Sequence, residues 1–453
     1  MNTLTIHELV KATKGRLLQG DENCEIFAIE TDSRRAGKDT LFVPLVGNRD
    51  GHDFIDKAIE NGVSAVVTHK QIDVPDSVCV IEVSDTRVAF GDIAKYYKSR
   101  LNLKTVAILG SVGKTTTKDM VAGVLATQFK TLKTKANFNN DIGLPLTIFN
   151  LEDDHEVAVL EMGMNHFGEI RYLANIGMPD IAVLTNIGVS HIENLGSREN
   201  IMKAKLEVTE NFGKENTLIV NGDNDLLSTI RDQKPIYRTI YYGEQNPSND
   251  LVALNIEDKG LYGLEFDAKT SRDEYHIKLS VPGRHNVYNA LSAIAVGELL
   301  GVSKENIIKG LEQFELTENR LQVEKVRGIT LINDCYNAAP DSIKSALEMM
   351  KKTDAKRRVA ILGDVFELGE HSEEQHRKIG RFVAENNIDV LICAGEAMNY
   401  AFAEASTVRE RFHFDTTEEA ASFARGFVKE GDLVLIKASH GMEFFKVYEE
   451  LKK

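Results

Sequence analysis

The chain has 453 residues, enough for about three domains, and its 69 acidic against 54 basic residues give a net charge of −15 that argues against a nucleic-acid partner. No apolar run approaches the ~20 residues that span a bilayer, so we expect no membrane insertion. Four cysteines without a CxxC pair exclude a zinc ribbon and a disulfide scaffold and predict a reducing, cytoplasmic location.

Residues 1–100 are predicted to form a small α/β domain. Thr5 is expected to cap the first helix, and Gly15 and Gly62 are expected to follow the ends of the first and second helices. The predicted helices are TIHELVKATKG, GHDFIDKAIENG and RVAFGDIAKYYKSRL, and the predicted strands are TLFVPLVG and SAVVTHK.

Residues 101–317 alternate short apolar strands with helical stretches, which predicts a parallel sheet covered on both faces. Two runs, GLYGLEFDAK and YHIKLSVPG, are instead typical of antiparallel strands added at an edge. A long amphipathic helix, NVYNALSAIAVGELLG, is predicted to end at Gly301. The parallel strands are TVAILG, VAVLEMG, IAVLTNIG and TLIVNGD, and the helices between them are TTKDMVAGVLATQF, GEIRYLANI and NIMKAKLEVTENF.

Residues 318–453 repeat the alternation and predict a Rossmann-like α/β domain. The whole chain is therefore assigned to the α/β class with three domains. The strands of this last part are ITLINDCY, RVAILGD, DVLICAG and DLVLIKAS, and the helices are DSIKSALEMMKK, SEEQHRKIGRFVAEN, GEAMNYAFAEA and TEEAASFARGFVKEG.

The run TVAILGSVGKTTTK has the order of a phosphate-binding loop: strand, glycines, lysine, threonines, helix. Gly110 and Gly113 allow a tight turn whose amides point at an anion, and the following helix adds partial positive charge. Lys114 is placed to reach the outer phosphates, and the Thr115 hydroxyl to ligate Mg²⁺. Two residues rather than four separate the first glycine from Gly-Lys, and the alternative is a glycine turn with a surface lysine.

Two polar residues follow consecutive strands beside this loop. Glu161 ends VAVLE, and His191 follows IAVLTNIG, at the edge where parallel sheets place ligand groups. A carboxylate and a neutral imidazole suit a Mg²⁺ site, although this ion prefers oxygen ligands. The alternative for Glu161 is an acid that caps a helix, and the alternative for His191 is a histidine in a loop without a ligand. Helical spacing alone predicts that the nearby Lys203 and Lys205 are solvated surface lysines.

Nine runs occur in the order found in the muramoyl-peptide ligases, so the chain resembles the Mur ligase family over nearly its whole length. The amino-terminal TDSRRAGKDTLFVPLVGNRDGHDFI matches as well. The family commonly has glycine, asparagine and Lys-Gly-Ser-Arg where this chain has Ala136, Ala339 and Lys437-Ala438-Ser439-His440. The nine runs are GSVGKTTTK, NFNNDIGLPLT, EMGMNHFGEI, NIGVSHIENLGSRENIMKAKLE, PGRHNVYNALSA, ENRLQV, NDCYNAAPDS, ILGDVFELG and KASHGM.

The resemblance is strongest to the family members that add D-alanyl-D-alanine to UDP-N-acetylmuramoyl-tripeptide, and it implies this ATP-dependent activity in peptidoglycan precursor synthesis. It implies an acyl phosphate intermediate, a UDP-sugar-binding domain at 1–100, an ATP-binding domain at 101–317, a ligase domain at 318–453, and a monomer. Two related alternatives are a ligase that adds the third residue and a folate-type polyglutamate ligase. An alternative of another class is a nucleotide-gated regulatory ATPase.

The resemblance also implies a nucleotide and metal site. One Mg²⁺ is expected on Thr115 and Glu161, and a second on Glu161, His191 and a carbamoylated Lys205. A carbamate makes chemical sense because a free ammonium repels a divalent cation, whereas the carbamate is an oxygen-donor anion. The residues expected around the ATP phosphates are Gly110, Ser111, Val112, Gly113, Lys114, Thr115 and Thr116.

The remaining expectations concern nucleoside and substrate contacts, again from the resemblance. His285, Asn286 and Asn289 match the adenine site, with helix capping as the alternative for the asparagines, while Arg320 is expected at a phosphate and Asp334 at the ribose. Thr31, Asp32, Ser33 and Arg34 match the uridine diphosphate site or form a polar turn. Asn139, Asn140, Asn337 and Asp364 are expected at the peptide substrates, with capping of the segment that follows it as the alternative for Asp364. His376 lies in another motif and is alternatively an exposed histidine.

Overall fold

A computed structural model describes residues 1–316 and 321–453, and its first stretch is a small α/β arrangement. The predicted helices and strands are present, together with five further short strands, β1 to β4 and β7. The elements are β1 (Leu4–Thr5), α1 (Ile6–Thr13), β2 (Arg16–Gln19), β3 (Glu25–Ile26), β4 (Ala28–Glu30), β5 (Thr40–Phe42), α2 (Ile55–Glu60), β6 (Ala65–Thr68), β7 (Cys79–Glu82) and α3 (Thr86–Ser99).

The middle stretch contains the predicted alternation together with elements that the apolar pattern does not reveal, among them β9, α5, β13 and α11. Its elements are β8 (Lys104–Leu109), α4 (Lys114–Ala126), β9 (Thr131–Lys133), α5 (Gly143–Ile148), β10 (Val157–Glu161), α6 (Glu169–Gly177), β11 (Ile181–Leu184), α7 (Ile192–Leu195), α8 (Arg198–Leu206), β12 (Thr217–Asn221), α9 (Ile230–Gln233), β13 (Arg238–Gly243), β14 (Leu251–Asp258), β15 (Leu264–Lys269), β16 (Glu274–Leu279), α10 (His285–Leu299) and α11 (Lys304–Gln313).

The last stretch has every predicted strand and helix and three more elements. Its elements are β17 (Gln322–Val326), β18 (Ile329–Asn333), α12 (Pro340–Lys352), β19 (Arg357–Gly363), α13 (Ser372–Glu385), β20 (Val390–Ala394), α14 (Met398–Glu404), β21 (Glu410–Phe414), α15 (Thr417–Phe427), β22 (Asp432–Lys437) and α16 (Phe445–Lys452).

The chain divides into two compact units. The first comprises Met1–Ala107, Phe129–Met164 and Gly168–Asp180. The second comprises Ile108–Gln128, Asn165–Phe167 and Ile181–Lys453. The boundaries of the three expected domains at 1–100, 101–317 and 318–453 stay a prediction.

The first unit contains a five-stranded sheet in the order β2-β7-β6-β5-β4. Its strands β4 to β7 run parallel, and β2 is antiparallel to β7. Phe42 and Val66 from the sheet pack with Ile55 and Ala58 from α2 in the core. The first helix begins as predicted, because Thr5 and Glu8 form a reciprocal capping box. Strands β9 and β10 pair in parallel.

The second unit contains two sheets whose strands carry most of the predicted apolar runs. In the first, β11 to β14 pair in parallel, and β15 and β16 continue the sheet with antiparallel pairing, as predicted. In the second, the order is β17-β18-β22-β19-β20-β21, and only β17 is antiparallel to its neighbour. The predicted α/β class is confirmed, with a parallel sheet flanked by helices. Among the described residues, no helix is long and apolar enough to cross a membrane.

The strands that sequence reasoning missed in the second sheet lie at its two edges. QVEKV (β17) and ERFHF (β21) mix polar with apolar residues and are only partly buried. The central strands β19, β20 and β22 are almost wholly buried and therefore show continuous apolar runs. An edge strand lacks a continuous apolar run because it is more exposed to water than a central strand and therefore carries more polar residues.

Ala136, where the family commonly has glycine, has a positive φ of 45°. This left-handed conformation costs an L-residue about 1–2 kcal/mol, and glycine is free of that cost but loses about 0.5–1 kcal/mol more backbone entropy on folding. We therefore expect Ala136→Gly to raise the free energy of unfolding by about 0.5–1 kcal/mol, measured by denaturant unfolding.

The matched control for this substitution is Ala384→Gly, which places the same change inside helix α13. There the change should lower the free energy of unfolding by about 1 kcal/mol. A loss of stability at both positions would contradict the assignment of strain to Ala136.

Candidate functional site

The loop between β8 and α4 is fixed by the segment that follows β11. The Asn186 side-chain oxygen accepts hydrogen bonds from the amides of Ser111 (3.2 Å) and Val112 (3.0 Å). The Thr185 hydroxyl donates to the Val112 carbonyl at 2.6 Å. Ser111 Oγ also accepts the Gly188 amide at 3.0 Å. The loop conformation is therefore set before any ligand binds.

The two glycines of the loop are required by its geometry. Gly110 has φ 149°, and a Cβ there would lie 1.8 Å from the Thr185 hydroxyl oxygen. Gly113 has φ 84° and is the residue from which α4 begins. Glycine adopts both conformations without steric cost. The predicted glycine turn is present with the predicted helix behind it.

The amino terminus of α4 carries partial positive charge toward a cavity. No described side chain caps this helix, whose first residue is Lys114. The Lys114 ammonium donates to the carbonyls of Gly110 (2.9 Å) and Ser111 (3.4 Å) and thus lies over the loop. A helix start with its dipole and a lysine beside it favours a bound anion.

A cavity of about 930 Å³ adjoins this loop within the second unit. It is lined by much of the nucleotide site expected from the resemblance. It is not lined by Gly110, Lys205, Asn286 or Asp364, and Arg320 lies outside the described residues. The expected residues along its wall are Ser111, Val112, Gly113, Lys114, Thr115, Thr116, His191, His285, Asn289, Asp334 and Asn337.

His285 contributes a neutral imidazole to the cavity wall. Burial lowers its pKa to about 4, with opposing influence from the Asp334 carboxylate. Its Nδ1 is buried and has no hydrogen-bond partner in the part of the chain that is described. A neutral ring with an unused polar atom is suited to a hydrogen bond with a heterocyclic ligand.

The two asparagines of the adenine-site motif form a buried chain of hydrogen bonds. The Asn286 amide donates to the Pro282 carbonyl at 2.7 Å, and the Asn289 amide donates to Asn286 at 2.8 Å. The Thr117 hydroxyl of α4 donates to Asn289 at 3.0 Å. The chain therefore joins the starts of α10 and α4. The structure brings Asn289 but not Asn286 to the cavity, and neither side chain caps α10.

Asp334, expected at the ribose, is held by a buried lysine. Lys437 lies 2.5 Å from the Asp334 carboxylate and donates to the Asn337 carbonyl at 3.0 Å. Lys437 is only 2% exposed. This pairing fixes the loop after β18, with Asp334 and Asn337 on the cavity wall.

Asp364, expected at the dipeptide, makes a capping contact in the structure. Its carboxylate accepts the amides of Met398 (2.8 Å) and Ala397 (3.3 Å) at the start of α14. It therefore satisfies amides that α14 would otherwise leave unpaired. The capped helix is α14 and not the segment that directly follows Asp364, and the dipeptide contact stays a prediction.

His376 is buried, so the alternative of an exposed histidine is wrong. Its Nε2 accepts the Val365 amide at 3.1 Å, and its Nδ1 lies 2.7 Å from the Ser372 carbonyl. The ring therefore carries its proton on Nδ1 and supports the turn that follows β19.

Lys205 is buried, which contradicts the solvated position that helical spacing predicts. Its ammonium nitrogen lies 3.2 Å from the Gly110 carbonyl, and burial, aided by the nearby Lys114 charge, holds its pKa well below the usual range. Lys203, on the same helix, is exposed as predicted. A buried and readily neutral amine is the reactive form that carbamoylation by CO₂ needs.

His191 meets a carboxylate that sequence reasoning did not single out. His191 Nδ1 lies 2.6 Å from Glu367 Oε2, and this contact lowers the pKa of Glu367. The only sequence signal for Glu367 is its place in the run ILGDVFELG, three residues after Asp364. No spacing rule connects positions 191 and 367, because their approach depends on tertiary packing.

In the first unit, Glu161 has one satisfied and one unsatisfied carboxylate oxygen. Oε1 accepts the Asn139 amide at 2.8 Å, and the buried Oε2 has no partner among the described residues. A buried carboxylate oxygen without a donor favours a cation. Asn140, predicted at the substrate, accepts the Gly143 amide at 2.8 Å near the start of α5.

The segment from Thr31 to Arg34 forms a turn after β4. Arg34 pairs with Asp32 at 2.6 Å and lowers the pKa of that carboxyl to about 2. The Ser33 carbonyl accepts the Asn61 side chain at 2.8 Å. The polar-turn alternative describes this geometry, and the uridine contact stays a prediction.

Comparison with known families assigns three parts of the chain. The models described as Mur ligase family, catalytic domain; Mur ligase middle domain; and Mur ligase, glutamate ligase domain match residues 25–98, 108–297 and 319–440. Together these matches cover most of the 453 residues.

Full-length similarity agrees with these matches. UDP-N-acetylmuramoyl-tripeptide–D-alanyl-D-alanine ligase of Bacillus subtilis (strain 168) is 36% identical over 455 residues, 99% of this chain and 98% of the relative. A crystal structure of MurF from Acinetobacter baumannii superposes with a TM-score of 0.92 at 31% identity and covers 100% of this chain and 99% of that one. MurF ligase from Thermotoga maritima in complex with ADP gives a TM-score of 0.83 at 26% identity, covering 94% and 97%. The chain therefore belongs to the Mur ligase family.

Proposed function

We propose that this chain is an ATP-dependent ligase that joins D-alanyl-D-alanine to UDP-N-acetylmuramoyl-tripeptide in peptidoglycan precursor synthesis. The observation that carries the proposal is the uncapped start of α4, with Lys114 over its loop, facing a cavity lined by the family's nucleotide motifs. The relatives that match along their full length bear the name of this ligase, and one related structure is described in complex with ADP.

The reaction needs activation because a carboxylate is a poor electrophile at neutral pH. An oxygen of the tripeptide carboxylate attacks the γ-phosphorus of ATP, which forms an acyl phosphate and releases ADP. The dipeptide amine then attacks the acyl carbon, and the tetrahedral intermediate expels inorganic phosphate and leaves an amide. The chain supplies positioning and charge stabilisation rather than a covalent nucleophile.

Within this scheme the loop residues hold the triphosphate. Lys114 and the first-turn amides of α4 offset the negative charge that makes carboxylate attack unfavourable. His285 and Asn289, which line the cavity, are proposed to contact the nucleoside, and Asp334, which Lys437 fixes, is proposed to accept ribose hydroxyl hydrogens. Arg320 is retained as a phosphate contact on the strength of the family resemblance.

The residues fit the expected Mg²⁺, which supplies further neutralisation of the phosphate charge when bound. Glu161 offers a buried carboxylate oxygen that lacks a donor, and Lys205 is a buried amine poised for carbamoylation. Thr115 and His191 complete the proposed ligand set. The carbamate turns Lys205 from a cation into an anionic oxygen ligand, as a hard cation requires.

The substrate contacts follow the family motifs. Thr31, Asp32, Ser33 and Arg34 are proposed for the uridine diphosphate group, and Asn139 and Asn140 for the muramoyl peptide. Asn337, on the cavity wall, and Asp364, directly after β19, are proposed for the dipeptide. We propose a cytoplasmic monomer, since both soluble substrates carry charged groups that favour an aqueous site.

The experiment that tests this function is a phosphate-release assay with each substrate omitted in turn. Release should require ATP, the muramoyl tripeptide and D-alanyl-D-alanine together. Release with a free amino acid and a shorter muramoyl peptide would favour the ligase that adds the third residue, and use of a folate would favour a polyglutamate ligase. Steady release without any amine would favour a regulatory ATPase.

Replacement of Lys114 tests the phosphate site. Lys114→Ala should lower ligation by at least about 100-fold, because it removes a cation that stabilises charge in the transition state. Circular dichroism should be unchanged, since the side chain is only partly buried. Lys309→Ala, an exposed substitution on α11, is the control and should retain activity. Near-normal turnover by Lys114→Ala would contradict the assignment.

Replacement of Lys205 tests the carbamate. Lys205→Ala should be nearly inactive and should partly recover with added acetate or formate, which can replace the carbamate oxygens. The exposed neighbour Lys203→Ala should behave like the unaltered chain. With ¹³C-labelled bicarbonate, the unaltered chain should show a carbamate resonance that Lys205→Ala lacks. An unchanged spectrum in that variant would contradict the modification.

A further inference from the structure

We propose that Glu367 is a positioning residue that fixes the orientation and tautomer of His191, so that Nε2 is the nitrogen left for a metal ion. This inference rests on the proposed function of His191 as a Mg²⁺ ligand. The new element is the origin of the carboxylate that orients His191. Glu367 lies in the turn after β19, whereas His191 follows β11, a strand of a different sheet.

The first observation is the contact itself. His191 Nδ1 and Glu367 Oε2 are 2.6 Å apart, closer than two unprotonated acceptor atoms approach, although the ring N–H is not aligned for a straight hydrogen bond, and the His191 side chain is only 19% exposed. Neutral imidazole carries one proton, and a carboxylate next to Nδ1 keeps that proton on Nδ1. The lone pair is then on Nε2, at the other end of the ring. Histidines that bind metals commonly donate their second nitrogen to a carboxylate in this way.

The second observation is backbone strain at both partners. His191 has φ 66° and Glu367 has φ 63°, although neither is glycine. Residues in this region cost about 1–3 kcal/mol each and persist only where the surroundings determine them. Two strained residues in direct contact indicate that the contact, rather than either turn alone, is what the local structure preserves.

The third observation is that the Glu367 segment is anchored from several sides. The Val365 amide donates to the buried His376 ring, and the Phe366 amide donates to Ser439 Oγ at 2.9 Å. The Glu367 carbonyl accepts the Glu193 amide at 3.3 Å, next to His191. These bonds give His376 a role: it supports the turn that presents Glu367.

The arrangement has a consequence for the reaction. The His191 loop follows β11, whereas Glu367 follows β19 of the other sheet in the second unit. The imidazole is therefore prepared for a metal only while the turn after β19 is docked on residues 191–193. Metal affinity then depends on the same packing that forms the wall of the nucleotide cavity, of which His191 and Glu367 are both part.

The test measures the tautomer and metal affinity of the full chain labelled with ¹⁵N-histidine. In the unaltered chain, NMR should show His191 protonated on Nδ1, and Glu367→Ala should lose this preference. Titration with Mn²⁺ alone, followed by electron paramagnetic resonance of the free ion, should show about 10- to 100-fold weaker binding in Glu367→Ala. Glu367→Gln keeps an oxygen acceptor and should retain the Nδ1–H tautomer.

The control is Glu370→Ala, which removes a carboxylate that is 87% exposed three residues away. It should change neither the tautomer nor the Mn²⁺ affinity. A purely structural ion pair would lower thermal stability in Glu367→Ala without changing either readout, and that result would overturn the proposal. An Nε2–H tautomer in the unaltered chain would overturn it as well. If only this inference fails, amine-dependent phosphate release by the unaltered chain still occurs.

Discussion

The uncapped amino terminus of α4 is the constraint on which the site depends. A helix start concentrates partial positive charge on amides that need an acceptor, and no side chain of residues 1–316 or 321–453 caps this one. Asn186 and Thr185 hold the loop before the helix through hydrogen bonds to its backbone. The first-turn amides can therefore donate to an anionic ligand, and a polyphosphate matches their charge.

Around this point the chain buries ionisable groups whose charges are either paired or suppressed. Lys437 is paired with Asp334. Burial lowers the pKa values of Lys205 and His285, so that both favour their neutral forms. Burying a charge without a partner is costly, so such groups favour neutral forms. Neutral Lys205 can react with CO₂, and neutral His285 can bond a heterocycle. Burial thus gives Lys205 and His285 neutral forms that an exposed lysine would not have at neutral pH and an exposed histidine would have only in part.

The phosphate loop was predictable from the sequence because its elements are local. Strand, glycines, lysine and helix follow one another within 14 residues, and each has a backbone reason for its place. The parallel strands were predictable because buried strands show continuous apolar runs. The edge strands β17 and β21 were not, since exposure interrupts that run.

Sequence reasoning missed the contacts in which distant segments meet. The burial of Lys205 depends on the loop at Gly110, and Asp364 caps a helix that begins more than 30 residues later. Glu367 meets His191 across two sheets of the second unit. Helical spacing and motif order describe a chain only along its length, so they cannot report such contacts. The family resemblance predicted a functional role for Lys205, because a family motif carries information about tertiary structure that helical spacing lacks.

The central claim is that ATP activates a peptide carboxylate at the loop before α4. The most direct measurement starts from muramoyl tripeptide labelled with ¹⁸O in its terminal carboxylate. After turnover with ATP and D-alanyl-D-alanine, mass spectrometry of the released inorganic phosphate should show one ¹⁸O atom per molecule, because the acyl phosphate transfers a carboxylate oxygen to phosphorus. Unlabelled phosphate formed together with the amide product, or release of phosphate without any amide product, would contradict the account.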